Sequence, residues 1–133
     1  MNNRIDSHQH FWKFDPVRDS WIDESMSEIQ RDFLPEDLLP LLTENKFSGC
    51  VAVQASQSES ETNFLVDLAS KNDFIKGIVG WVDLRDENIS ERLHHFSSNK
   101  TIKGFRHVVQ GEADDFMFRA DFRNGISALK EFD

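Results

Sequence analysis

Runs of near-continuous apolar residues alternate along this chain with runs in which apolar residues recur every three or four positions. The segments GCVAVQA (49–55), GIVGWVDL (77–84) and IKGFRHVVQ (102–110) are short, rich in β-formers and flanked by glycine or polar residues. The first two have the composition of strands covered on both faces. The opening RIDSHQHFW (4–12) predicts a further strand with a different pattern: Asp6, His8 and His10 fall on one face, while Ile5 and Phe11 fall on the other. A polar row on a covered strand needs partners, and a site supplies them.

Between the strands lie helical patterns. PEDLLPLLTENK (35–46) opens with Pro35, tolerated in a first turn, whereas Pro40 predicts a bend or a late start. SESETNFLVDLASKN (58–72) has Ser58 and Glu61 in capping-box spacing and gathers Phe64, Leu65, Leu68 and Ala69 on one side. NISERLHHF (88–96) and FRNGISALKEF (122–132) predict two more helices, the second weakened by Gly125. Strands separated by single helices mean parallel βα units. The last three strands begin about 25 to 28 residues apart, close to the roughly 30 residues per unit of an eightfold barrel. The expected fold is therefore α/β, about four βα units or half of a TIM (β/α)8 barrel, with residues 1–133 as one partial barrel domain. A doubly wound open sheet is the alternative, although no G-x-G-x-x-G or P-loop follows any strand.

Residues 13–34 form a longer connection than βα units ordinarily use, and such loops are commonly lids or binding loops. With Trp12 just before it, this loop carries Phe14, Trp21, Ile22 and Met26. These residues either pack the loop down on itself or form an apolar wall over the mouth of the sheet. The 133 residues carry 15 Lys plus Arg against 24 Asp plus Glu, a net charge of −9. That balance disfavours nucleic acid and anionic membranes and leaves a small molecule as the expected partner. The lone Cys50 reads as a buried apolar residue in a reducing compartment. With no signal-peptide core and no transmembrane run, the expected location is cytoplasmic.

Five motifs, in order, carry a resemblance: IDSHQHFW, DFLPEDLLPLL, VAVQASQS, GIVGWVDL and GFRHVVQGEADDFMFRADFRNGI. From Arg4 to about Ile126 the chain resembles the N-terminal half of the amidohydrolase-related sugar lactone hydrolases, the L-fuconolactone and L-rhamnonolactone hydrolase group of the amidohydrolase superfamily. The resemblance implies a (β/α)8 barrel about twice this length, so the residues that group places on later strands, among them the aspartate expected as general base, lie beyond residue 133. It implies a sugar lactone as the small-molecule partner, and a homo-oligomer is a further expectation.

His8 and His10 have the same-face geometry that lets two imidazoles bind one divalent ion or direct two donors at one carbonyl oxygen. The cofactor expectation is accordingly none, or one divalent metal ion such as zinc held by His8 and His10. The resemblance turns Arg106 inward, in line with Val108 and Gln110, where a guanidinium needs an anion or several acceptors. His8, His10 and Arg106 are the expected catalytic residues. Gln54, Asp83, Trp21 and His107 are the expected substrate contacts. Asp83 is alternatively the ion-pair partner of Arg106, and His107 a helix-facing, hydrogen-bonded residue. The expected reaction is hydrolysis of an aldonolactone by the complete barrel. A metal-dependent amidase or decarboxylase of the same superfamily and a non-catalytic half-barrel are the alternatives.

Overall fold

The computed structural model describes residues 3–132; Met1, Asn2 and Asp133, the ends of the expected 1–133 domain, lie outside the described residues. Four strands, β1 (Ile5–Gln9), β2 (Gly49–Val53), β3 (Ile75–Gly80) and β4 (Ile102–Phe105), form one sheet in the order β1-β2-β3-β4, with every neighbouring pair parallel. Helices α1 (Pro35–Glu44), α2 (Glu59–Lys71) and α3 (Ile89–Ser97) make the crossovers, and α4 (Ala120–Ala128) follows β4. A strand order that never reverses is that of a barrel wall and has no switch point, so the doubly wound alternative is not adopted. Among the described residues no helix is long and apolar enough to cross a membrane.

Two apolar clusters hold the layers together. In the first, Cys50 and Ala52 of β2 and Ile75 and Ile78 of β3 pack with Leu42 of α1, Leu65 of α2 and Phe11. Burial there pushes the Cys50 thiol up to about 11, which fits an inert, apolar role. The second cluster joins Val82 and Leu84, beyond β3, to Leu93 and Phe96 of α3 and to Phe116 and Phe122, and Ile102 packs against both clusters.

The strands stop earlier than their apolar runs. β3 ends at Gly80, because the buried Thr62 hydroxyl takes over the ladder's role at Trp81: it accepts from the Trp81 N–H at 2.8 Å and donates to the Trp81 carbonyl at 2.7 Å. Val82 and Leu84 then turn into the second cluster. β4 ends at Phe105, and the chain enters a short 3₁₀ turn at Val109–Gly111. Asp83, Arg106 and His107 consequently sit on loops at the C-terminal ends of strands, not within them. Pro40 does not delay α1, which starts at Pro35 and continues through it to Glu44. Both Pro40 and Glu36, whose carbonyl a residue with an N–H at position 40 would bond, are exposed, so water replaces the lost bond.

Gly125 corrects the sequence reading most sharply. A Cβ at this position would lie 1.8 Å from the Leu84 carbonyl oxygen, so the glycine lets α4 approach the backbone beyond β3. Helix propensity alone makes Gly125→Ala stabilising by up to about 1 kcal/mol. The close approach reverses the sign, and Gly125→Ala is expected to destabilise the fold by about 1–3 kcal/mol in a denaturant titration. A midpoint at or above that of the unsubstituted chain would contradict the packing of α4 on Leu84.

Candidate active site

A cavity of about 790 Å³ opens at the C-terminal end of the sheet, the end at which barrels of parallel strands carry their chemistry. Three strand ends contribute wall: His10 and Trp12 after β1, Ala55, Ser56 and Gln57 after β2, and Arg106 and Val108 after β4. The long first loop closes the side with Arg18, Asp19, Trp21, Ile22 and Ile29. That loop is pinned at its base by paired backbone hydrogen bonds between Trp12 and Phe33, whose rings lie 4.5 Å apart. Arg18 and Asp19 form an ion pair at 2.6 Å, and the Asp15 carboxylate accepts from the Val17 and Arg18 N–H groups. The loop is thus tied together by its own polar contacts and walls the cavity through Trp12, Trp21 and Ile22, as the apolar-wall reading expects. Trp21, two-thirds exposed, presents its ring to the cavity.

The two histidines of β1 and its exit converge as the alternation predicts. His8 Nε2 and His10 Nε2 are 3.3 Å apart. His10 Nδ1 lies 2.9 Å from the Val53 carbonyl oxygen, which only accepts, so Nδ1 carries the proton. Burial holds the His10 pKa below its ordinary value, with the charges of Arg106 and His8 adding to the effect against the hydrogen bond to Val53. Neutral His10 thus directs an Nε2 lone pair at His8. Arg106 Nη1 stands 3.5 Å from His8 Nε2, so an imidazole pair and a guanidinium face one another across 98 residues of sequence.

Arg106 is held by backbone. Its N–H donates to the Gly80 carbonyl at 2.9 Å, its Nη2 donates to the Gln54 carbonyl at 3.1 Å, and the Gln54 side-chain Nε2 donates back to the Arg106 carbonyl at 3.2 Å. Burial alone lowers the Arg106 pKa, with no carboxylate acting in the other direction. The buried Nε has no hydrogen-bond partner among the described residues.

Three expected substrate contacts are placed elsewhere. Gln54 is fully buried, with its amide nitrogen committed to the Arg106 carbonyl and its amide oxygen without a hydrogen-bond partner among the described residues. Asp83 is not the partner of Arg106: it binds Arg85 at 3.0 Å. Burial pushes the Asp83 carboxyl up, but the hydrogen bonds from Arg85 outweigh burial and keep it below the ordinary range. His107 turns away from Arg106, as adjacent residues should, and stacks on Phe116 at 4.8 Å with Nε2 2.7 Å from a Glu112 carboxylate oxygen. The helix-facing reading of His107 matches that placement. Arg18, Gln57 and Glu61 line the cavity although sequence reasoning did not select them for it. Only Glu61 had a local signal, its capping-box spacing, and that signal pointed to a different role.

The His8–His10 separation matches an edge of a tetrahedral zinc site, about 3.4 Å for Zn–N bonds of 2.0–2.1 Å. Two ligands are not a site, however. No group of three or more histidine, cysteine, aspartate or glutamate side chains able to hold a metal occurs among the described residues, and the Arg106 cation flanks the pair. These residues do not by themselves fit a metal.

The family model described as Amidohydrolase matches residues 5–133. The chain is 41% identical over 132 residues to an L-fucono-1,5-lactonase of Burkholderia multivorans (strain ATCC 17616 / 249), covering 98% of this chain and 44% of that protein. It is 36% identical over 115 residues to an L-fucono-1,5-lactonase of Burkholderia ambifaria, covering 86% of this chain and 40% of that protein. A crystal structure of an amidohydrolase from Burkholderia multivorans with bound zinc superposes with a TM-score of 0.92 at 39% identity, over 98% of this chain and 46% of that one. The chain thus spans about half the length of the relatives it matches, and its four βα units correspond to half of their TIM barrel. With its parallel strands in barrel order and its polar groups gathered at their C-terminal ends, this chain belongs to the amidohydrolase family.

Proposed function

We propose that this chain provides the carbonyl-holding half of a site that hydrolyses a sugar lactone. The observation that carries the reading is the convergence of Arg106, whose charge no carboxylate offsets, on the His8–His10 pair beside the cavity. The naming of the relatives as L-fucono-1,5-lactonases supports a 1,5-lactone as the substrate class. Water adds to the ester carbonyl carbon, and the carbonyl oxygen becomes an oxyanion that the Arg106 guanidinium stabilises more strongly than it does the neutral ester. The ring C–O bond then breaks, the leaving oxygen takes a proton, and the open-chain acid leaves as its carboxylate. His10, whose unprotonated Nε2 only accepts, orients the attacking water with His8 beside it, and Trp21 and Ile22 offer an apolar face to the ring carbons. Among the described residues no carboxylate is hydrogen-bonded to the His10 or Arg106 side chain, and in this reading the general base belongs to barrel strands beyond these four.

A metal-dependent reading is favoured by one observation, the 3.3 Å edge. Zinc retained in stoichiometric amount by this chain after dialysis against a mild chelator would support it. The incomplete ligand set predicts loss of the metal.

Two outcomes test the lactone reading. In protein carrying this chain and releasing acid from L-fucono-1,5-lactone, Arg106→Met is expected to lower kcat/KM by about 10²-fold or more. His107→Asn should lower thermal stability with little change in rate, and an Arg106→Met rate within twofold of the unsubstituted protein would assign Arg106 a structural role. The second outcome concerns His10. A base whose pKa is depressed by folding binds fewer protons folded than unfolded. Its contribution to stability is therefore present above the ordinary 6.5 and is lost as pH falls through the lowered value. A ¹⁵N-resolved histidine titration should show His10 titrating below 6.5 with its proton on Nδ1. A midpoint at or above 6.5 would contradict the buried, neutral imidazole.

A further inference from the structure

Glu61 is almost fully buried, on the first turn of α2, at the cavity wall. Its spacing from Ser58 is that of a capping box, and half of the box forms: Ser58 Oγ accepts from the Glu61 N–H at 3.2 Å. The reciprocal bond does not. The Glu61 carboxylate reaches past the cap, and its Oε1 accepts from the Ala55 N–H at 3.0 Å, while the Ser58 N–H turns to the Ser56 carbonyl. Holding a carboxylate out of water for a bond that an exposed cap could satisfy works against stability, and burial raises the Glu61 pKa despite the N–H groups of Ala55 and Ser56.

The Ala55 N–H belongs to the same planar peptide group as the Gln54 carbonyl, the acceptor of Arg106 Nη2. In that trans unit the N–H and C=O point in opposite directions. The carboxylate sits at the positive end of the peptide dipole and the guanidinium at the negative end. Each charge polarises the unit in the sense that strengthens the other's hydrogen bond. Glu61 does not pair with Arg106 directly, and no carboxylate acts on the Arg106 pKa, which leaves the guanidinium charge available to a ligand. The long first loop also reaches the carboxylate, since Arg18 lies near enough to favour its ionised form and Asp19 near enough to oppose it.

We propose that Glu61 is a positioning residue that sets the Arg106 guanidinium through the single Gln54–Ala55 peptide. The carboxylate fixes the plane of that peptide, and the plane fixes where Nη2 is anchored and which way the free edge of the guanidinium faces. Any consequence for turnover rests on the lactone reading above; the placement of Arg106 does not.

The test measures hydrogen exchange of the Arg106 Nε–H, a buried proton with no hydrogen-bond partner among the described residues, in ¹⁵N-resolved arginine side-chain spectra assigned by its loss in Arg106→Lys. Glu61→Ala is expected to speed this exchange by about tenfold or more, because the anchor loosens. Glu61→Gln, which keeps an acceptor for the Ala55 N–H, should stay within about threefold of the unsubstituted chain. Leu65→Val, in the core on the same helix, is the control for general loss of stability and should leave the exchange within about twofold. If Glu61→Ala does not fold, Glu61→Asp, which withdraws the carboxylate by one methylene, takes its place. Exchange unchanged in the carboxylate variant would overturn the proposal, as would equal acceleration in a Leu65→Val chain of matched melting temperature. In protein that turns over lactone, the same variant should lower kcat by about tenfold with KM within about threefold, and Gln should restore it. In a complete barrel carrying this chain, absence of turnover in every variant, the unsubstituted protein included, would count against the lactone reading while the exchange result still decides the role of Glu61.

Discussion

Gln54 and Arg106 exchange side chain for backbone across the end of β3, and the geometry of the cavity depends on that clasp. The two residues leave strands that are not neighbours in the sheet, β2 and β4. β3, which lies between them, receives both: the Gln54 N–H donates to the Val79 carbonyl and the Arg106 N–H to the Gly80 carbonyl. The side chains then cross over, each donating to the other residue's carbonyl. A second link, from the Val108 N–H to the Gln57 side-chain oxygen at 2.7 Å, repeats the connection one step further out. Parallel strands alone would bring these ends to the same level. The clasp gives the guanidinium a fixed direction, because the Gln54 carbonyl that anchors its Nη2 belongs to a residue whose own N–H is held by β3.

Direction matters because the cavity holds few uncommitted charges. Arg18 is bound to Asp19, and Glu61 is bound to backbone N–H. Arg106 is the cavity guanidinium whose partners are one backbone carbonyl, that of Gln54, and an imidazole nitrogen, and neither offsets its charge. Such a group, beside the neutral His10 imidazole in a mostly apolar hollow, interacts more strongly with charge that develops during a reaction than with a neutral ester. The long first loop adds rigidity to the same end. Its Trp12–Phe33 bridge and Arg18–Asp19 pair form the wall opposite the strand ends.

Much of this was legible in the sequence where the cause was local. The alternation in RIDSHQHFW placed His8 and His10 on one face, and their Nε2 atoms do converge; adjacency sent Arg106 and His107 opposite ways. The sequence patterns located all four strands, and each ran past the C-terminal end of its strand. What ends β3 is a hydroxyl from α2, 19 residues away, and no window around Trp81 contains it. Asp83 could not be assigned by composition because two arginines were available, and the one two residues away, Arg85, took it. Gly125 looked like a weak point in a helix, since the Leu84 carbonyl against which it packs lies 41 residues earlier in sequence. Glu61 shows the same limit: its spacing correctly found the helix start, but the peptide it bonds became a site element only once β4 had brought Arg106 to the other side.

A double-mutant cycle on unfolding free energy, with Gln54→Leu and Arg106→Met measured singly and together in denaturant, tests the clasp most directly. Residues that hold one another across a strand end should show a coupling of about 0.5–3 kcal/mol. Losses that add to within about 0.3 kcal/mol would mean that the two strand ends are set independently, and would contradict a cavity whose geometry depends on the clasp.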